Sequence, residues 1–225
     1  MFNKNKVPCV VGATGLVGSH LISHLSKIYP QVISITRTKT DYSSSIVKNI
    51  VLDFDNIMNK DLFDKNNDLY IALGTTRRKA GSDQNFIKVD YDYCINLAKN
   101  AFNSGVKRIS VISSVGTNPN SKLLYPKTKG LLEMELSKLP FKHISIMKPG
   151  LILGLRKETR IAEKIGKILF SFINPFLFFG LSKYKSVHAN DIAKAMIYQI
   201  GSENIGINKI EYNDIIACSK KVIFK

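Results

Sequence analysis

Apolar positions recur with two periods along the first two thirds of the chain. Short apolar runs bounded by turn residues read as buried strands at Val7–Val11, Gln31–Thr36, Ile50–Leu52, Leu69–Leu73, Arg108–Ser113 and His143–Lys148. Between them, spacings of three and four predict helices at Gly15–Ile28, Phe86–Ser104 and Lys127–Leu139, the second stopped by Gly105. Strands that alternate with helices call for crossover connections. The expected fold class is therefore α/β, a Rossmann-type doubly wound parallel sheet. After Gly154 the pattern changes: a charged-then-apolar stretch, a Phe-rich run broken by Asn174-Pro175, a helix from Asn190 or Asp191 to about Gln199, and a last short strand at Lys209–Ile216. The expectation is a single domain over residues 1–225, with a core at 6–154 and a small C-terminal substrate lobe at 155–225 over the strand ends, where ligands bind in such sheets.

The join between the first strand and the first helix carries the chemistry. Val10-Val11 runs straight into Gly12, Gly15 and Gly18, spaced at three. Gly12 suits a tight turn, Gly15 lets backbone approach phosphates, and Gly18 lets the helix pack closely on the sheet. The amides and dipole at that helix start then face an anion. A dinucleotide is expected, held by Gly12, Thr14, Gly15, Leu16, Val17 and Gly18.

The second strand ends without the acid that would take a ribose 2′-hydroxyl; Thr36-Arg37 and Thr38-Lys39 stand there instead. A guanidinium at Arg37 suits a 2′-phosphate, which predicts NADP(H) in preference to NAD(H); the alternative is an exposed basic loop. Asp53, after the third strand, is read either as an acceptor for the adenine amino group or as a helix N-cap. Leu73, Gly74, Thr75 and Thr76 follow the fourth strand, where backbone passes the nicotinamide ribose and phosphates. The basic run Arg77-Arg78-Lys79 is a clamp for phosphate or a substrate acid, or a solvated loop.

Tyr125-Pro126-Lys127-Thr128-Lys129 is the second constellation. Pro126 suits the first helical position, with Tyr125 at the helix mouth and Lys129 one turn on over the same face. A phenol near pKa ~10 exchanges protons poorly at neutral pH, and a neighbouring ammonium draws that value down. The same lysine can hold ribose hydroxyls. Ser113 and Ser114, at the end of the fifth strand, can polarise a carbonyl beside the tyrosine.

These motifs resemble the short-chain dehydrogenase/reductase superfamily in its extended and atypical branch. A narrower likeness, to the Tat-interacting oxidoreductase-like family and its bacterial epimerase-like relatives, rests on Leu73–Ser82, on Val89-Asp90-Tyr91-Asp92-Tyr93, and on Lys148–Gly154 with Arg156, Glu158 and Arg160 behind it. The resemblance spans roughly residues 6 to 200. It implies Ser114, Tyr125 and Lys129 in the catalytic positions, Ser113 in reserve, and Pro149 against the cofactor. It implies an NADP-dependent oxidoreductase that interconverts a carbonyl and an alcohol on a small molecule. Two other readings stay open: a nucleoside-diphosphate-sugar epimerase or dehydratase, and a non-catalytic NADPH-binding redox sensor. Many superfamily members carry Asn where this chain has Asp90, so a proton relay through that position is in question.

Composition adds bounds. Thirty-three Lys and Arg against seventeen Asp and Glu give a net charge of +16, which attracts polyanions. The charge is spread along the chain with no aromatic-basic recognition motif, so no specific nucleic-acid partner is expected. Cys9, Cys94 and Cys218 form no C-x-x-C pair and read as buried free thiols, which fits a reducing, cytoplasmic setting. The polar start at Met1–Lys6 lacks the apolar stretch of a signal peptide, and no apolar run reaches membrane-spanning length. His143 and His188 have no partner at metal spacing, so no metal is expected. The Phe-rich stretch Phe170–Phe179 is read as a core for the lobe, as an apolar substrate pocket or homodimer surface, or as a peripheral contact with anionic membrane. Arg156, Glu158, Arg160 and Glu163 are a solvated helix face or a substrate anchor.

Overall fold

The computed structural model describes residues 2–154 and 179–222. The Phe170–Phe179 stretch apart from Phe179 itself, and Arg156, Glu158, Arg160 and Glu163, lie outside the described residues. Seven strands form one parallel sheet: β1 (Val7–Val11), β2 (Val32–Thr36), β3 (Val47–Val51), β4 (Asn67–Ile71), β5 (Arg108–Ile112), β6 (His143–Met147) and β9 (Gly206–Ile210). Their order is β3-β2-β1-β4-β5-β6-β9. β7 (Ile152–Leu153) and β8 (Val187–His188) pair as a separate short ladder. The order reverses between β1 and β4, and the carboxyl ends of those strands frame the crevice where such sheets take ligands.

Helices cover both faces. On one lie α1 (Leu16–Leu25), α6 (Ala189–Gly201) and α7 (Tyr212–Lys220), packed over Val10, Tyr70 and Met147. On the other lie α4 (Tyr93–Asn103) and α5 (Leu124–Leu136), over Cys9, Ile71 and Val111. Two short helices, α2 (Arg77–Ala80) and α3 (Asp83–Ile87), precede a π-helical turn at Lys88–Asp92 that runs into α4. Strands buried on both faces read as apolar runs, which is why β1, β4, β5 and β6 were legible.

Several boundaries differ from the expected ones. β3 begins at Val47 rather than Ile50, because at the sheet edge its polar Lys48 and Asn49 interrupt the apolar signal. No helix links β2 to β3. The 37–46 connection is instead tied down by Tyr42 Oη on Ser34 Oγ (2.6 Å) and by the Thr40 amide on Asn49 Oδ1 (3.0 Å), while the Asn49 side-chain amide donates to Ser34 O (3.1 Å) and Thr36 Oγ1 (2.8 Å) of β2. The helix expected from Phe86 begins at Asp83, since the Ser82 hydroxyl caps the Asn85 amide (3.1 Å). α5 begins at Leu124, so Pro126 is its third residue and Tyr125 its second, not its mouth. Proline is tolerated there because the first four amides of a helix have no internal partner.

α6 starts at Ala189, where neither Asn190 nor Asp191 is the cap; the Asn190 side chain bonds His24 Nε2 instead (2.7 Å). The strand expected over Lys209–Ile216 ends at Ile210, because the Asp214 carboxylate accepts the Glu211 amide (3.3 Å) and starts α7. Residues 187–222, read as part of the lobe, thus supply the seventh strand and complete one helix layer. All three cysteines are buried free thiols. His143 is a core residue whose burial, with the Arg108 charge, lowers its pKa to about 4 and keeps it neutral.

Candidate active site

Gly12 leaves β1 with φ +82°, and a Cβ there would lie 2.6 Å from the Ala72 carbonyl oxygen after β4. A Cβ on Gly18 would lie 2.1 Å from Gly12 O, and one on Gly15 3.1 Å from the same oxygen. The loop therefore closes on α1 only with hydrogen at Gly12 and Gly18, and a side chain at Gly15 would be tight. Gly15 caps α1 without a side-chain bond, and no acid occupies the first turn, so that helix start is open to an anion. Thr14 is exposed, Leu16 is half-buried against Gly154, and Val17 is core. This glycine cradle fits a dinucleotide pyrophosphate.

Arg37 is exposed at the end of β2, just beyond Ile35, which pairs with Val11. Asp53 caps the 3-10 helix Phe54–Asn59, accepting from the Asp55 amide (3.1 Å) and the Asn56 side chain (2.7 Å). Of its two readings, the N-cap is the observed one. Thr76 caps α2, and Arg77 makes a two-pronged bond to Asp83 (2.7 and 2.9 Å) at the surface.

The centre of the site lies beneath Tyr125. Lys129, one turn along α5, is buried and makes an ion pair with Asp90 at 2.8 Å; the two side chains are 4% and 1% exposed. The same ammonium reaches the Ile112 carbonyl at the end of β5 (3.4 Å), and the other Asp90 oxygen accepts the Thr75 amide (2.7 Å). One carboxylate thereby ties the Gly74–Thr75 loop to Lys129. Burial works against the Lys129 charge, but Asp90, with smaller contributions from Cys94 and Tyr125, holds its pKa above the ordinary lysine value. Tyr125 itself is 43% exposed, its ring 5.9 Å from that of Phe86.

The two serines part company. Ser113 is buried and donates to Glu133 (2.6 Å), whereas Ser114 makes only a local bond to the Val115 carbonyl (3.2 Å). Sequence reasoning missed the rest of that network: Lys148 Nζ donates to Glu133 (2.8 and 2.9 Å) and to Thr117 Oγ1 (2.6 Å). Glu133, four residues after Lys129, and Lys148, at the end of β6, were the available signals. Pro149 is buried, its carbonyl accepting the Val115 amide (3.0 Å). Tyr184 closes this side, within 3.8 Å of a Cβ placed on Gly116. Among the described residues no group of His, Cys, Asp and Glu could hold a metal ion.

A glycine cradle at a switch point, beside a buried lysine under a tyrosine, is matched by a family model, the NAD dependent epimerase/dehydratase family, over residues 9–139. The chain belongs to that family. It is 36% identical over 196 residues to Protein FMP52, mitochondrial, of Candida albicans, covering 84% of this chain and 85% of the relative. The narrower resemblance holds as well: it is 32% identical over 173 residues to Protein HTATIP2 of Rattus norvegicus, covering 74% and 71%. Among solved structures, MoeE5 in complex with UDP-glucuronic acid and NAD superposes with a TM-score of 0.68 at 15% identity, covering 96% of this chain and 81% of that one. That likeness shows the fold.

The cytoplasmic location expected from the cysteines does not stand, because FMP52 relatives from several fungi are named mitochondrial. Buried free thiols report a reducing environment without saying which compartment provides it. Among the described residues no helix is long and apolar enough to cross a membrane.

Proposed function

We propose that this family member is an NADP(H)-dependent oxidoreductase of short-chain type, interconverting a carbonyl and an alcohol on a small molecule, and that it works in the mitochondrion. The observation that carries the reading is Lys129, held charged in a buried pocket one turn from the exposed Tyr125. Gly12, Thr14, Gly15, Leu16, Val17 and Gly18 would hold the pyrophosphate, Arg37 the 2′-phosphate, and Leu73–Thr76 with Pro149 the nicotinamide half. When bound there, the dinucleotide would supply the hydride chemistry. Tyr125 exchanges a proton with the substrate oxygen, Lys129 steadies the phenolate that results, and Ser114 orients the carbonyl by a hydrogen bond. Ser114 suits this better than Ser113, whose hydroxyl is already given to Glu133.

A second reading, as a nucleotide-sugar epimerase or dehydratase, draws on the family model and on relatives of known structure that bind such sugars. Calorimetric titration with NADPH and with NADH tests the first. NADPH should bind more tightly, and Arg37→Ala should erase at least about tenfold of that preference, or about 1.4 kcal/mol. Failure of both dinucleotides to bind would remove the oxidoreductase and epimerase readings together.

A further inference from the structure

Lys129 sits in an environment that should strip its proton, since almost none of its side chain meets solvent. A carboxylate 2.8 Å away reverses that outcome. The carboxylate is itself fixed, because its second oxygen takes the Thr75 amide at 2.7 Å. It lies in the π-helical turn at Lys88–Asp92, a local widening of the helix that leads into α4 and carries Asp90 as its buried residue. Such turns recur at functional sites.

We infer that Asp90 is a positioning residue which keeps the Tyr125–Lys129 pair in its doubly protonated form, and so biases the site toward giving a proton to a carbonyl oxygen rather than taking one from an alcohol. The inference deepens the oxidoreductase reading and rests on it for its catalytic meaning. A lone ammonium beside a phenol favours phenolate, the form that begins alcohol oxidation and the transient oxidation of a sugar. A carboxylate on the far side of that ammonium offsets its charge. Tyr125 then faces an ion pair rather than an isolated cation, and its proton is retained for donation.

Two protons of the ammonium are engaged, by Asp90 and by the Ile112 carbonyl, which leaves one for the cofactor ribose or the phenol. The titratable and charged groups around Lys129 are Asp90 from the π turn, Cys94 from α4 and Tyr125 from its own helix. Burial pushes the Cys94 thiol up to about 12, so it stays neutral in the working range. Glu133, one turn further along α5, is committed to Lys148. Asp90 is thus the anion that sets the balance.

A proton lost by either Tyr125 or Lys129 changes the charge that the other faces, so the quantity to read is the first proton lost by the pair, whichever member gives it up. The experiment is an NMR titration of protein carrying carbon-13 at tyrosine Cζ and lysine Cε, with the two resonances identified by their loss in Tyr125→Phe and Lys129→Arg. It needs neither cofactor nor substrate. In Asp90→Asn the first loss should move at least one pH unit lower than in the wild type, and Asp90→Glu, which keeps the charge, should recover most of that shift. A first loss within about 0.3 unit of wild type in Asp90→Asn would overturn the inference.

Should Asp90→Asn not fold, the wild type decides alone. Ionisation of Tyr125 below about pH 9, a unit under the free phenol, would sink the idea, and retention of both protons above that would uphold it. If NADPH does not bind the wild type while the Asp90 effect is present, the functional reading fails and the electrostatic device stands. The two failures are therefore separable.

Discussion

Side chains at this scale matter through what surrounds them, and Asp68 illustrates it far from the candidate site. It is the second residue of β4, is 5% exposed, and burial raises its pKa to about 6 despite the pull of Lys6 and Arg108. One of its oxygens is unpartnered, as are Tyr70 Oη and Arg108 Nε nearby. The raised value means that the folded state holds a proton which the unfolded chain, near pKa ~3.9, has already lost. Stability from this group is therefore lost as pH rises between about 4 and 6. Asp68→Asn removes the liability, so the variant should gain on the wild type between pH 4 and pH 7 by on the order of 2 kcal/mol. Urea denaturation at both pH values reads this directly. A stability difference that does not change with pH would show that Asp68 is solvated through internal water.

At the scale of elements, the ends of β5 and β6 and the last turn of α5 are riveted by Glu133 and Lys148. Their side chains are 8% and 10% exposed, with Ser113 and Thr117 filling the remaining oxygen positions. A pair this deep adds little over an apolar contact, but breaking it leaves a stranded charge at a cost of about 3–5 kcal/mol. Lys148→Met alone should fall in that range by denaturant midpoint, while Lys148→Met with Glu133→Gln should recover a good part of it. Equal losses for the single and double variants would mean that the rivet holds no strained charge. The position matters for function because the loop it anchors carries Ser114 and the left-handed Gly116.

The element boundaries that sequence misplaced have separate causes. Edge strand β3 carries polar Lys48 and Asn49 inside its apolar run, α5 begins at Leu124 ahead of its proline without a side-chain cap, and α7 is started by the local Glu211–Asp214 capping box.

For the molecule as a whole, a net charge of +16 works against compactness. With thirty-three cationic and seventeen acidic side chains, ion pairs such as Lys88–Asp55, Lys138–Glu135, Lys129–Asp90 and Lys148–Glu133 can neutralise only part of the positive charge. Raising ionic strength from about 0.05 to 0.5 M shortens the Debye length severalfold and should raise Tm, by about 2–4 °C for each kcal/mol of repulsion removed. A flat or falling Tm across that range would show that the basic residues are spaced widely enough not to interact.

The sequence by itself determined the sheet's buried strands, the glycine cradle, and the one-turn spacing of Tyr125 and Lys129. These are local patterns, fixed by the alternation of apolar runs and by the steric demand that glycine alone meets at Gly12 and Gly18. The family was legible from the same residues. Only the tertiary structure decided what stands behind them: that Asp90 is the partner of Lys129, that Ser113 is spent on Glu133, that Arg77 pairs with Asp83, and that the chain's last described strand completes the main sheet. Each joins residues that the fold brings together across separate elements or loops. Charge partners are chosen by burial, since a buried ion must find its counter-ion wherever the fold places one, and no periodicity along the chain records that choice.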